Sequence, residues 1–305
     1  MIVLEQNRQK FEMCRIPEWH KEGFMGEGIK IVVTESPESS HGQQVANILW
    51  QVSPKSDIIL RRRPGKRISG GEMTEDSIEK LKDYYNDLYN EGVNILIVSL
   101  GGTATEKKEY LIEELLLARY MHLFTSTGNT GKEIRSRVLA SLPVSISVGS
   151  CRYINNELER AGYSSYGKQV DVYGYSGLYC TRDYERDYEN ARTGGYFQGT
   201  SFANPFVGGM FALYLGWRKW KGLDININFD VFSWLVDRHG ERVDEWGKLF
   251  KLPPVSEALY SPLQERLAQD RLEGKNRSKR QILRQWGMSE EGANVSADLY
   301  EGWWK

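Results

Sequence analysis

The sequence predicts an α/β protein whose largely parallel sheet is wrapped by helices. Three observations lead there. Short apolar runs rich in β-branched residues recur along the chain, helical patterns alternate with them, and several runs end in glycine-rich loops. The first run, residues 28–34 (GIKIVVT), reads as a buried strand. Residues 41–49 (HGQQVANIL) read as a helix, with Ser39 and Ser40 as candidate caps. Residues 56–60 form a second strand. Residues 74–90 carry apolar and charged side chains at helical spacing, with Thr74 as a candidate cap. Residues 93–100 are apolar and β-rich and run into Gly101-Gly102. Residues 110–120 are helical, 122–126 form another strand ending at Gly128-Asn129, and 143–148 a further one. In sheets of this kind chemistry gathers at the carboxyl ends of the strands.

Three domains are expected: an irregular N-terminal arm (1–27), the α/β core (28–259) and a helical C-terminal extension (260–305). The extension is rich in Arg, Glu, Gln and Leu. Its basic cluster (Lys275, Arg277, Lys279, Arg280, Arg284) reads as a solvated helix face rather than a site for an acidic partner. There is no internal repeat and no low-complexity tract.

Bulk composition narrows the function classes. The chain has 305 residues, enough for a substantial core. Its net charge of −1 gives no reason to expect nucleic acid or an anionic membrane as partner. No apolar run approaches the ~20 residues of a membrane span. The opening MIVLEQNRQKFEMCRIPEW lacks the apolar core of a secretory signal. Three widely spaced cysteines (Cys14, Cys151, Cys180) point to free thiols, and together these features predict a cytoplasmic protein. His20, His122 and His239 have no metal-ligand spacing, so neither a metal nor another cofactor is expected.

Three islands carry chemistry. Glu35 ends the first strand, six residues before His41-Gly42. Ser99-Leu100-Gly101-Gly102 and Ser126-Thr127-Gly128-Asn129 follow two later strands. Gly199-Thr200-Ser201-Phe202-Ala203-Asn204-Pro205-Phe206-Val207-Gly208-Gly209 is the third. A serine hydroxyl needs a base to act as a nucleophile near neutrality, histidine suits that role, and a carboxylate on its far nitrogen fixes the tautomer.

At these residues the chain resembles the subtilisin-like serine proteases. The family's H-G-T-x-V-A corresponds to His41–Ala46, its G-T-S-[MF]-A-x-P-x-V-x-G to Gly199–Gly209, its S-L-G-G to Ser99–Gly102, and its A-A-G-N-x-G to residues 126–131. The likeness extends from about residue 28 to 209, more faintly to 258, in the family's order of acid, histidine and serine. It implies a three-layer α/β sandwich and peptide-bond hydrolysis, with protein or peptide substrates as partners. Ser201 would be the nucleophile at the start of a buried helix, and His41 its base. The Asn129 side chain and the Ser201 backbone N–H would hold the oxyanion. Ser99, Leu100, Gly101 and Gly102 would pair with an extended substrate, and Ser126, Thr127 and Gly128 would line the opposite wall.

The departures from the family are informative. The acid is Glu35, in Glu-Ser-Pro, where the family has aspartate. Its extra methylene adds roughly 1.5 Å of reach, and Glu38 is the alternative orienter. Only five residues separate Glu35 from His41, so that sheet edge is pared down. The family's calcium loop has no oxygen-rich counterpart after His41, so that site is expected to be absent, and the core is expected to lack a prodomain. Arg135 and Arg137 fall where the family floors its primary specificity pocket, and are read as solvated loop charges rather than selectors of an acidic residue. The expectation is an active Ser-His-Glu endopeptidase, its cleft regulated by the N-terminal arm or the C-terminal extension. The alternative is a degenerate relative that binds or scaffolds peptides without cutting them.

Overall fold

The computed structural model describes residues 5–64, 75–99, 121–134, 139–141, 145–154, 157–181, 194–225 and 229–258. The chain divides into two units, Met1–Val255 and Ser256–Lys305, and the architecture below belongs to the first. The predicted helix over 110–120 and the C-terminal extension lie outside the described residues.

The expected irregular arm is instead helical. α1 (Arg8–Met13) and α2 (Ile16–Lys21) bury Phe11, Cys14, Ile16 and Trp19, a spacing that interleaved charges conceal in the sequence. Arg15 turns between them at φ 61°. Its guanidinium donates to the Leu252 carbonyl, and the Trp19 indole to the Pro253 carbonyl at 2.8 Å. Then come β1 (Lys30–Val33), α3 (Ser40–Val52), β2 (Asp57–Leu60), α4 (Glu75–Asn90), β3 (Ile95–Val98) and β4 (His122–Ser126). β5 (Ser145–Ile154) runs longer than expected because it also forms an antiparallel hairpin with β6 (Glu157–Arg160). β7 (Val172–Tyr175), β8 (Leu178–Cys180) and β9 (Gly195–Phe197) precede α5 (Thr200–Trp220), α6 (Phe229–His239), β10 (Glu241–Arg242) and β11 (Lys248–Leu249).

Among the described residues one sheet has the order β10-β11-β7-β5-β4-β3-β1-β2, with β6 on β5, while β8 and β9 pair separately. The central pairs are all parallel, so the α/β class is as predicted. Strand alternation sorts the core into two layers. Val32, Leu96, Val98 and Leu123 meet Leu81, Tyr85 and Leu88 of α4 on one face. Ile97 and Phe124 face α5 on the other, where a Cβ on Gly208 would come within 2.4 Å of Ile97 Cδ1. α5 is buried on nearly every side, from Thr200 to Trp217, as its near-continuous apolar sequence requires.

Candidate active site

Glu35 follows β1, whose pairing continues one residue further through Thr34 N–H to the Ile97 carbonyl. The turn that follows leads into α3, capped by Ser39. The Ser39 hydroxyl accepts the Gly42 N–H at 3.1 Å and donates its proton to Glu35 Oε2 at 3.2 Å. One side chain thus starts the helix and anchors the acid. A Cβ on Gly42 would lie 3.0 Å from Glu35 Cβ and 3.1 Å from the Ser36 carbonyl, so glycine is what lets the helix start so close to the turn.

That approach brings the two chemical groups together. His41 Nδ1 lies 2.8 Å from Glu35 Oε1 and 2.9 Å from Oε2. The Glu35 side chain is 2% exposed and that of His41 33%, so the acid is sealed while the imidazole stays partly open to solvent. With Nδ1–H committed to the carboxylate, Nε2 keeps its lone pair for accepting a proton. Glu38, the alternative orienter, is exposed and accepts a hydrogen bond from the Ser36 hydroxyl instead. The Phe202 ring, one residue after Ser201, stands edge-on to the His41 ring at 5.3 Å.

Ser201 occupies the first turn of α5. Gly199 ahead of it has φ 142°, open to glycine. A Cβ there would sit 3.2 Å from both Asn129 Nδ2 and Ser201 Oγ, so those two atoms border one small space that Gly199 leaves clear. The orientation of Asn129 is set chemically: its Oδ1 accepts from Thr200 N–H at 2.9 Å and the Thr200 hydroxyl at 3.1 Å, so the amide NH₂ is the end turned toward Ser201. The Ser201 backbone N–H has no protein acceptor among the described residues, as befits a first helical turn.

Pro205 sits inside α5, and a proline has no N–H for the carbonyl four residues earlier. That carbonyl belongs to Ser201. Ser99 supplies the missing donor, its hydroxyl reaching Ser201 O at 3.0 Å. Asn204 holds the assembly, donating to Val98 O at 3.2 Å and to Ser99 Oγ and Phe124 O at 3.3 Å. The sequence motifs give Asn204 no role and Ser99 only one toward substrate, although a proline mid-helix is itself the signal that a donor is needed. Tyr163 was also missed: its hydroxyl accepts the Gly199 N–H at 3.1 Å.

Of the remaining predicted positions, Ser126 ends β4 and its hydroxyl donates to Val98 O. Thr127 N–H bonds Val148 O, Gly128 N–H bonds Thr200 Oγ1, and the Gly128 carbonyl accepts from Ser165 N–H. These bonds tie the segment to β3, β5 and the start of α5. Leu100, Gly101, Gly102, Arg135 and Arg137 lie outside the described residues. Cys14, Cys151 and Cys180 are buried free thiols. Among the described residues no cluster of His, Cys, Asp and Glu could hold a metal ion, and no helix is long and apolar enough to cross a membrane.

Comparison with known proteins identifies the fold and the family. A subtilisin-like protease of Coccidioides posadasii is 27% identical over 181 residues, 56% of this chain and 41% of that protein. Subtilisin-like protease 2 of Arthroderma benhamiae is 25% identical over 203 residues, 64% of this chain and 46% of its own length. The match therefore spans less than half of these relatives. Among solved structures, the prenylagaramide maturation protease PagA superposes with a TM-score of 0.61 at 20% identity, covering 81% of this chain and 99% of that one. A lanthipeptide protease gives 0.62 at 14% identity, covering 84% and 95%. Both share the fold. The Subtilase family model matches residues 32–225, which takes in Glu35, His41, Asn129 and Ser201. The chain belongs to the subtilase family, the subtilisin-like serine peptidases.

Proposed function

We propose that this protein is a serine endopeptidase working through a Ser-His-Glu triad and an acyl-enzyme. The observation that carries the reading is the two-oxygen contact of buried Glu35 with His41 Nδ1. It is supported by the Asn129 amide turned toward Ser201 Oγ. Ser201 Oγ attacks the scissile carbonyl carbon, its proton passes to His41 Nε2, and the carbonyl π electrons move onto oxygen. Asn129 Nδ2 and the Ser201 N–H stabilise that oxyanion, and Glu35 stabilises the imidazolium. Collapse breaks the C–N bond, with His41 protonating the departing amine. Water then attacks the ester in the same way, with His41 again the base, and frees Ser201. The 2.8 Å contact between Glu35 and His41 supports this reading over that of a module that holds peptides without cutting them.

Fluorophosphonate labelling of the wild type beside Ser201→Ala and His41→Ala tests the reading. Labelling of the wild type that vanishes in both variants is the expected result. An unlabelled wild type, or a Ser201→Ala protein still labelled, overturns it.

A further inference from the structure

A cavity of about 330 Å³ lies where α1, the ends of β5 and β7, and the β8–β9 hairpin meet. Gln9, Lys10, Met13, Arg152, Tyr196 and Gln198 are among its lining residues. Its volume is in the range of small-ligand sites. Two basic residues, Lys10 and Arg152, line it, and no acidic one does among the described residues. Tyr153 and Tyr175 also line it but spend their hydroxyl protons on Glu241 and the Met13 sulfur. The two cations therefore dominate its electrostatics.

Lys10 is half-buried, and its ammonium has two neighbours. It donates to the Gly177 carbonyl and stands 5.8 Å from the centre of the Tyr196 ring. Burial lowers its pKa from the ordinary lysine value, the mark of a cation whose lost hydration is incompletely replaced. Arg152 is exposed at the rim and forms no ion pair among the described residues. The partly desolvated Lys10 ammonium gains from an anion brought to it, and the exposed Arg152 guanidinium at the same cavity offers further donors.

One wall of the cavity leads along the chain, and through a hydrogen-bond relay, to the segment that carries the nucleophile. Gln198, in its wall, immediately precedes Gly199-Thr200-Ser201. Ser176, also in its wall, receives a hydrogen bond from Ser150 Oγ at 2.6 Å and bonds the Tyr163 hydroxyl that holds the Gly199 N–H.

We infer that this cavity is a specificity subsite for a carboxylate of the bound polypeptide, held by Lys10 and Arg152. The inference rests on the peptidase reading. The carboxylate is either an Asp or Glu side chain or the free C-terminus of a short peptide. Lys10 supplies the point charge and Arg152 a planar two-donor fork.

The test uses a neutral fluorogenic peptide in which one Glu, or its Gln control, is walked through four positions on each side of the scissile bond. A final pair differs only in ending as free carboxylate or amide. A wild-type preference for Glu over Gln in kcat/KM on the order of 10-fold at one position is expected, as charge-assisted hydrogen bonds allow. In Arg152→Gln and Lys10→Met that ratio should fall to within twofold of unity. A preference confined to the free terminus would also support the subsite and identify its source. Should no peptide be cleaved, titrating the same Glu and Gln peptides into Ser201→Ala protein reads the subsite without turnover. No preference at any position in a cleaved series, equal affinities in the titration, or a preference that survives both substitutions overturns the inference.

Discussion

Replacing Glu35 by glutamine keeps the side chain's shape and removes its charge. In the native site both carboxylate oxygens lie within 2.9 Å of His41 Nδ1, and Ser39 donates to Oε2. A glutamine oxygen satisfies Ser39 best at the Oε2 position. Its NH₂ then occupies the Oε1 position, 2.8 Å from Nδ1, where two N–H groups would collide. The imidazole escapes by moving its proton to Nε2, the nitrogen that must accept from Ser201. Loss of the wrong-tautomer kind costs about 10⁴ in kcat when a triad aspartate becomes asparagine, roughly 5.5 kcal/mol of transition-state stabilisation. A loss of that order is expected here, read as kcat on a cleaved peptide and as the rate of fluorophosphonate labelling. Glu35→Asp draws the carboxylate back by one C–C bond, ~1.5 Å, taking the contact from 2.8 Å to roughly 4 Å, beyond hydrogen-bond range, so this variant should also lose most turnover. Glu38→Gln is the control, since Glu38 meets Ser36 rather than His41. Glu35→Gln with kcat within threefold of wild type, or Glu38→Gln with the larger loss, would refute the assignment of the acid.

Four further outcomes are expected. Asn129→Asp keeps the acceptor for Thr200 but loses the donor facing Ser201, so kcat should fall by about 10²–10³ with an unchanged melting temperature. A matching fall in stability would instead make Asn129 a structural brace. Ser99→Ala orphans the Ser201 carbonyl at a cost of about 1–3 kcal/mol, and calorimetry should find the melting temperature lowered by about 2–5 °C. Asp171 is a pH probe: burial lifts its carboxyl from 3.8 to about 6, against hydrogen bonds from the Ser147 N–H and hydroxyl that pull it down. The folded state then holds this proton more tightly than the unfolded state, so stability relative to Asp171→Asn should be greatest below pH 4 and decline up to pH 6. Urea melts with a constant difference from pH 4 to 8 would refute that. Asn7→Ala removes two donated bonds and one accepted bond in a buried cluster. A stability loss of about 2–4 kcal/mol is expected, and a melt within 1 °C of wild type would count against it.

The parallel sheet and the acid–histidine–serine order were legible because each leaves a local signature: β-branched runs, glycine-rich strand ends, and motifs only a few residues long. Ser39 as the cap of α3 was legible for the same reason. What escaped depends on partners distant in sequence. Ser99 and the Ser201 carbonyl are 102 residues apart, and Tyr163 and Gly199 are 36 apart. No local pattern encodes such a pairing, although Pro205 announced that one was required. The helices at 8–21 were hidden for a different reason. Arg8, Lys10, Glu12 and Arg15 interrupt the apolar positions, and the break at Arg15 cuts the run to two short helices whose stability comes from packing rather than propensity. β8–β11 are only two or three residues each and exist through tertiary pairing.

The relation between His41 and Ser201 is a matter of helix packing rather than loop conformation. Each is the second residue of its helix, His41 in α3 and Ser201 in α5. The helices approach closely because Gly209 has no side chain; a Cβ there would lie 2.9 Å from Val52 Cβ. The far end of α3 is fixed independently. His20 bonds the Val52 carbonyl at 2.7 Å, and Gln51 accepts from Asn7 while donating to Asn47 and the Tyr179 carbonyl. The N-terminal helices therefore brace the helix that carries the base, and Phe11 lies against Phe206 of the helix that carries the nucleophile. A segment built in this way supports the cleft. Removing residues 1–27 would strip partners from buried amides and uncover core aromatics, so a gain in turnover from that truncation is not what this packing leads one to expect.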